Sequence, residues 1–487
     1  MNETQVIIAG AGPTGLTLAV ELARRGVSFR IVEKASEHPG GSRGKGLQPR
    51  TQEVFDDLGV IDELLATGES YPAIRAYGGD QQVVWEGRMQ EPREPEAAVP
   101  YPMLLMQPQW RTELILRDRL AGLGHTVELG TEVTAFEQDE EGVTVTLNGT
   151  EQVRCAYLVG ADGGRGFVRK HLGVGFEGET FESERMLLGD VKTPDLDREY
   201  WHTWADLATR TLHAGLCPLP GTDVFQFTAP FTGEETPELS LESFQKIFDE
   251  GSGRTDVRFT DLTWASVYRV NIRMAERFRV GRVFLAGDAA HVHTPAGGQG
   301  LNTGVQDAYN LGWKLANVLG GAPEQLLDTY EEERLPVAAD VLGISTKLYN
   351  KAKRGDKDAL ERDEETQQLL LGYDSSLAVG ERGGERAPDA TLEGGRLFDV
   401  LRGPHFTLLA LGTAHADLVE KTNTTYGAAV RAHTVVRPGE EGDLVDVEGQ
   451  IHDHYGQGLV LIRPDGYVGY HGDENGIGGY LATVAAS

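Results

Sequence analysis

Cysteine is nearly absent: Cys155 and Cys217 are the only two in 487 residues. Two thiols so far apart make no disulfide framework and no zinc-ligand spacing, and the scarcity suits a reducing compartment such as the cytosol. Basic residues are short as well, 45 against 75 acidic ones, for a formal net charge of −30. That balance argues against non-specific nucleic-acid binding, which needs a basic face, and against anionic membrane surfaces. No run of about eighteen apolar residues occurs, so no segment reads as a membrane span. The opening MNETQ carries no basic residue, and glycines and a proline cut the first apolar run, a poor match to a signal peptide. Internal repeats and low-complexity tracts are missing too. What remains is an acidic, multi-domain α/β chain of ordinary globular composition, expected in the cytoplasm.

The most legible segment is the first. TQVIIAG is a short buried strand, LTLAVELARRG has apolar residues at helical spacing, and VSFRIVEK reads as a second strand ending in Glu33. Together they make a βαβ unit. HTVELGTEVTAFEQDEEGVTVTLNG alternates apolar and polar residues and reads as several antiparallel strands; CAYLVGADG reads as one more buried strand. Residues 176–274 are rich in alternating segments and look like a mostly β domain inserted into the first. From 303 to 350 the pattern turns helical, and KAKRGDKDALERDEE after it reads as a solvated helix. The last hundred or so residues carry their own strands, such as HFTLLALG, and read as a separate small α/β domain.

Between the first strand and helix lies GAGPTG, with Gly10, Gly12 and Gly15 in dinucleotide-binding spacing and Pro13 and Thr14 between them. The first glycine permits the tight turn, the second lets a pyrophosphate approach the backbone, and the third lets helix and strand pack closely. Glu33 stands where a carboxylate accepts hydrogen bonds from an adenosine ribose. The motif alone leaves FAD and NAD(P) open. A second glycine-rich stretch, GDAAHVHTPAGGQGLN at 287–302, holds two histidines, but no third ligand is spaced to join His291 and His293 at a metal. Its glycines free backbone amides to approach a flat ligand, and the helix expected to begin near Asn302 points its positive end there.

GAGPTG with Glu33, YLVGADGGRGFVRK (157–170) and GRVFLAGDAAHVHTPAGGQGLNTGVQDAYNLGWKL (281–315) together resemble the FAD-dependent aromatic hydroxylases. These are single-component flavoprotein monooxygenases with a para-hydroxybenzoate hydroxylase-like fold. RAPD and LIRPDGYVGY in the tail resemble the thioredoxin-like domain of the phenol and polyketide hydroxylase branch, here without cysteine. The resemblance implies a Rossmann-type FAD-binding domain in three parts, 1–72, 100–175 and 275–345. A mostly β substrate domain is inserted as 73–99 and 176–274, a helical linker follows at 346–380, and the thioredoxin-like α/β domain occupies 381–487.

Site residues follow from the same resemblance. Asp288 would bond the ribityl chain, and Pro295 with Gly297–Asn302 would lie along the isoalloxazine. Gly298 and Gly300 belong to that stretch, and the amides of Leu301 and Asn302 would face its pyrimidine oxygens. Asp162, with Arg169 close by, would touch FAD and NAD(P)H. Gln107 would contact the ribityl or pyrophosphate region, Arg43 or Lys45 would be the cation beside flavin or phosphates, and Lys34 and Val133 would complete the set. Gly166 stands where the family usually has serine, Thr294 where it often has proline, and GSRGKG differs from the common form.

The implied reaction is NADPH- or NADH-driven hydroxylation of a phenolic or polycyclic aromatic, polyketide-type substrate by O2 through a flavin C4a-hydroperoxide. A base or hydrogen-bond relay near the substrate hydroxyl is then expected, with His213 and His293 as candidates and Pro295 beside them. Two other outcomes stay open: Baeyer–Villiger oxygenation of a ketone, and FAD binding without turnover. The partners implied are a small aromatic molecule and O2, with a homodimer open and no metal.

Overall fold

Four short apolar segments, far apart in the chain, align as neighbours in one parallel sheet. Their order is Val283–Leu285, Tyr157–Gly160, Val6–Ala9 and Phe29–Glu33. Nearly every side chain in them is buried, as expected for strands covered on both faces. Glu128–Leu129 extends this sheet in parallel beside Phe29–Glu33, whereas the alternation around it suggested antiparallel pairing. The period-two pattern is genuine from Val133 onward, where Val133–Gln138, Val143–Leu147 and Glu151–Cys155 form an antiparallel meander. CAYLVGADG is therefore split between two sheets, with the switch at Ala156, whose N–H donates to Gln5. The computed structural model describes residues 2–206, 211–231, 236–294, 296–354 and 364–485.

Two helices close over the parallel sheet. Pro13–Ala23 begins with proline at its first position, where a missing N–H costs nothing. Gly300–Leu319, the central helix, packs against it and is buried along almost its whole length.

The second layer is an eight-stranded sheet with the order His291–Val292, Asp261–Ala275, Phe176–Lys192, Val224–Phe231, Thr211–Pro218, Tyr200–Asp206, Ala73–Tyr77, Val83–Gly87. One face buries Leu187, Phe225 and Phe227 against Phe244 and Phe248 of the helix Leu241–Ser252. His291–Val292 belongs to this sheet by chain pairing yet follows directly on the parallel sheet's last turn, which couples the two layers.

The C-terminal unit is a thioredoxin-like α/β domain. Its five strands run Leu444–Val445, Val430–Val436, Phe406–Leu411, Gly458–Ile462, Val468–Gly472, parallel on one side and antiparallel on the other. One face packs with Trp313 of the central helix, and the opposite face with Leu397, Ile451 and Tyr455. The long helix Asp328–Arg354 runs without a break through residue 346, where a linker was expected to start. Of the charged stretch read as a solvated helix, residues 355–363 lie outside the described residues. Among the described residues, no helix is long and apolar enough to cross a membrane.

Candidate active site

Three motifs from distant parts of the chain meet because each follows the carboxyl end of a neighbouring parallel strand. Gly160 pairs with Ala9 on one side and with Leu285 on the other, so the turns at Gly10, Asp162 and Asp288 lie side by side. That edge of an open parallel sheet is where ligands bind.

The glycines of the first turn divide their tasks as the motif requires. Gly10 has φ +104°, and a Cβ there would lie 2.3 Å from the Ala161 carbonyl oxygen. A Cβ on Gly15 would lie 2.0 Å from the Gly10 oxygen, so the helix can press onto the turn only with glycine. Around Gly12, by contrast, no atom of the described residues comes within 4 Å of such a Cβ. The chain leaves space there. Thr14 is wedged between Gly287 and Gly304, where a Cβ on either would lie within 2.5 Å of its hydroxyl, so it joins the first motif to the third. The Glu33 carboxylate accepts the Ala11 N–H at 3.1 Å and the Ala35 N–H at 3.0 Å. Lys34 beside it is exposed, and Val133 faces the core of the antiparallel meander.

Asp162 Oδ2 accepts the Val168 N–H at 3.0 Å, while Oδ1 is buried with no hydrogen-bond partner among the described residues. Burial raises its carboxyl above the usual range, against backbone N–H groups that lower it. Gly166 is explained by the same carboxylate: a Cβ there would lie 2.0 Å from Asp162 Oδ1. Arg169, buried over the Phe176 ring, donates to the carbonyls of Ala289 and Gly164 and so ties the second motif to the third. Asp288 remains accessible, yet enough protein surrounds it to raise its carboxyl by desolvation, against the pull of His291 and Arg43.

The central helix starts at Gly300, slightly earlier than its apolar pattern indicates, and its N-cap Gln299 makes no side-chain cap. Thr303 is the first residue to donate back to Gln299. The N–H groups of Gly300, Leu301 and Asn302 therefore have no intrahelical acceptor. The Asn302 side chain is fully engaged: Oδ1 takes the Gln48 N–H at 2.8 Å, and Nδ2 donates to Gly46 and Gly298 at 2.9 and 2.7 Å. This holds the 41–48 segment against the 297–300 turn. Gln109 adds to the same clamp by accepting the Gly44 N–H, and Glu113 fixes Gln109 in turn. Thr294 donates to the Ser345 carbonyl of the long helix, a bond proline would lack.

Of the two cations in that segment, Arg43 is exposed and lies within electrostatic reach of Asp288. Lys45 turns away to the eight-stranded sheet, donating to Gln226 and lying 4.2 Å from the centre of the Trp201 ring. Gln107 is buried, donates to Thr67 at 2.6 Å and leaves its Oε1 without a partner among the described residues. His213 is exposed on the strand Thr211–Pro218, with its backbone against Gly251. That strand lies four places across the sheet from His291–Val292, roughly 19 Å at usual strand spacing. His213 is thus apart from the three loops. His293 is buried among them, hydrogen-bonded to His291 at 2.9 Å, and His291 bonds Asp307 at 2.6 Å. Pro295 lies outside the described residues.

These residues suit a flavin dinucleotide. The open space above Gly12 fits a pyrophosphate, the unbonded first turn of the central helix offers donors to a flat electron-poor ring, and Asp162 and Gln107 keep buried acceptors free. Among the described residues, no group of three or more His, Cys, Asp or Glu side chains is arranged to hold a metal. The residues sequence reasoning missed are Gln48, Gln109 and Glu113. Only the helical i,i+4 spacing of the last two marks them as a pair.

A family model described as an FAD binding domain matches residues 3–345, and one described as aromatic-ring hydroxylase, C-terminal, matches 381–486. A flavin-dependent monooxygenase of Mycobacteroides abscessus is 49% identical over 479 residues, 95% of this chain and 96% of that one. A rifampicin monooxygenase of Streptomyces venezuelae is 36% identical over 488 residues, with 96% of each chain covered. The solved ternary complex of aklavinone-11 hydroxylase with FAD and aklavinone superposes with TM-score 0.83 at 27% identity, covering 100% of both chains.

Proposed function

Since this chain belongs to the FAD-dependent aromatic-ring hydroxylases, we propose that it hydroxylates a phenolic or polycyclic aromatic molecule, using NADPH or NADH as reductant. It is an FAD-dependent monooxygenase. The observation that carries the reading is the shared clamp on the 41–48 segment. Asn302 and Gln109 hold that segment beside the flavin loop, and its other side rests on the eight-stranded sheet through Ser42–Gln226, Lys45–Gln226 and Gly41 against Trp264. Flavin loop and sheet thus share one wall, and the space between them is the substrate's place in this reading.

Bound FAD supplies hydride acceptance and oxygen activation. The chain's own residues do the rest. The free N–H groups of Gly300, Leu301 and Asn302 offer hydrogen bonds where reduced flavin gathers negative charge. Asp288 would hold the ribityl chain, and Asp162 would touch FAD and NAD(P)H. Trp201 lies under Lys45, Trp264 against Gly41, and Tyr268 donates to the His293 carbonyl, so aromatic rings stand on the sheet side of the wall, a surface that suits a flat ring system. Asp190 lies on the same face, opposite Gln226, and burial raises its carboxyl to about 6 against Ser42 and Lys45. In this reading it is the acid–base group on the sheet, with Oδ1 unpartnered among the described residues. The rifampicin monooxygenase and the aklavinone-11 hydroxylase, named for the molecules they act on, support the reading.

Anaerobic stopped-flow reduction of the bound flavin by NADPH and NADH, with a panel of phenols and aromatic polyketides, tests the proposal. One ligand should accelerate bleaching by roughly an order of magnitude or more, a gain above ~1.4 kcal/mol. If ketones alone stimulate, Baeyer–Villiger oxygenation replaces hydroxylation; if no ligand does, binding without turnover gains. Independently, Asp288→Ala should purify with little or no flavin, read as the ratio of flavin to protein absorbance. Full flavin content in that variant would contradict the place given to Asp288.

A further inference from the structure

Asp307, His291 and His293 form a buried line of hydrogen bonds between the central helix and the 287–300 segment. At the inner end, Asp307 Oδ1 accepts Arg334 Nε at 2.8 Å. Its Oδ2 accepts the Gly287 N–H at 3.0 Å and His291 Nε2 at 2.6 Å. His291 Nδ1 lies 2.9 Å from His293 Nε2. At the other end, His293 Nδ1 is buried with no partner among the described residues. The His293 ring packs beside Gly300, where a Cβ would lie 3.6 Å from Cδ2, so the line ends next to the unbonded first turn of the central helix.

Counting hydrogens along this line fixes its two states. Burial works against ionisation of Asp307, but His291 and Arg334 overcome it and hold the carboxyl well below the usual range. An ionised carboxylate only accepts, so His291 Nε2 carries a hydrogen. With both rings neutral, His291 Nδ1 is bare and accepts from His293 Nε2–H, which leaves His293 Nδ1 as a bare lone pair. An added proton enters there. The hydrogen on His293 Nε2 then passes to His291 Nδ1, and the charge comes to rest on His291 against Asp307. The proton is exchanged at one ring and its charge held at the next.

We infer that the Asp307–His291–His293 line is a proton store that takes one proton from solvent when the adjoining FAD is reduced and returns it on reoxidation. The inference rests on the FAD placement above. Its chemistry balances with the proposed reaction, in which substrate C–H, O2, NAD(P)H and one proton give C–OH, water and NAD(P)+. The stored proton is the one that ends in water. Reduction leaves negative charge on the flavin, and in a weakly screened site a nearby proton compensates it. Burial, then His291, hold His293 well below its ordinary value, against Asp307, so the His293 ring is neutral before the flavin is reduced.

The surrounding groups are accounted for. Asp288, on the same loop with Arg43 near it, and Arg334 from the long helix, bonded to Asp307, are the charged groups beside the line. Tyr330 of the long helix donates to Leu285, Tyr373 accepts from Arg334, and Tyr268 of the sheet donates to the His293 carbonyl at 3.0 Å. All three phenols stay neutral, so none competes for the proton. His291 and Asp307 act through His293 and are positioning residues.

The test is the flavin midpoint potential against pH, by spectroelectrochemistry with a viologen mediator, on FAD-loaded wild type, His293→Gln and His291→Gln. Glutamine at 293 keeps an N–H for His291 but has no basic nitrogen. Between about pH 6 and pH 8 the wild-type potential should fall with a slope reporting about one more proton per flavin than either variant. Equal slopes in all three would overturn the inference. If the variants lose FAD, wild type labelled with 15N-histidine is compared oxidised and reduced. One imidazolium should appear on reduction, and no change among the 13 histidines would refute the store. The electrode needs neither nicotinamide nor substrate, so a failure of NAD(P)H to bleach the flavin counts against the proposed function and not against this.

Discussion

Gly10→Ala is expected to lose both fold and flavin, whereas Gly12→Ala should keep the fold and lose only the flavin. At position 10 the new methyl would sit 2.3 Å from the Ala161 oxygen, and φ +104° is itself unfavourable for alanine. The backbone strain costs ~1–3 kcal/mol and the overlap about as much again. The obstacle is backbone, pinned by the 2.8 Å bond from Ala161 N–H to Ala9, so relief means spreading two central strands. Together these reach a large share of the roughly 5–15 kcal/mol that holds a domain folded. Gly12 has φ −76° and open space around it, so a methyl there strains nothing. It would occupy the approach of the pyrophosphate. Thermal melting and flavin content of the two variants separate the cases, and an unchanged melting temperature in Gly10→Ala would show the close packing to be unimportant.

The second large effect lies where the C-terminal domain docks. Arg463 donates to Glu333 at 2.6 and 2.9 Å and to Asp465 at 3.0 Å, all fully buried. Lys314 and Asn310 also bond Glu333, and Trp313 bonds Asp465 at 3.0 Å. In Arg463→Leu, two buried carboxylates would face one ammonium. Removing one partner from such a cluster costs ~3–5 kcal/mol. The variant should melt lower and expose the 364–385 connection to protease. Burial opposes ionisation of Glu333, but Arg463 and Lys314 hold its carboxyl well below the usual range. A depressed carboxylate contributes stability that is complete above its unfolded value of about 4.3 and lost as pH falls through the folded one. Arg463→Leu should therefore unfold in acid at higher pH than wild type. Coincident acid and thermal transitions in the two proteins would remove the cluster from the account of stability.

The first βαβ unit was legible because its information is local: strand, glycine turn, proline-led helix and Glu33 follow one another within a few turns of chain. The convergence of the three loops was not local, and only the resemblance of all three motifs brought it forward. Lys45 shows the limit on the site. Sequence placed it beside flavin or phosphates, but whether a side chain on a turning loop faces one wall or the other depends on Gln226 and Trp201, which lie 181 and 156 positions on. Gly166 and Thr294 looked like departures and have local reasons, an aspartate with no room beside it and a carbonyl one helix away. Glu128–Leu129 defeated the alternation because two residues carry too little pattern to choose a sheet.

The strand order has a consequence for synthesis of the chain. The parallel sheet is built from residues 6–9, 157–160 and 283–285, and its cover includes the helix ending at Leu319. At roughly 5–20 residues per second, about 15–60 s pass on the ribosome between the first strand and the end of that helix. During that interval Val6–Ala9 is paired only with Phe29–Glu33 until Tyr157–Gly160 emerges, and Tyr157–Gly160 then lacks its second neighbour until Val283–Leu285 is made. The cofactor's full set of contacts exists only once Asp288 and the central helix, Gly300–Leu319, have emerged. Parallel sheet and flavin site are thus completed together, late in synthesis, and the nascent first half carries an unpaired strand edge until then.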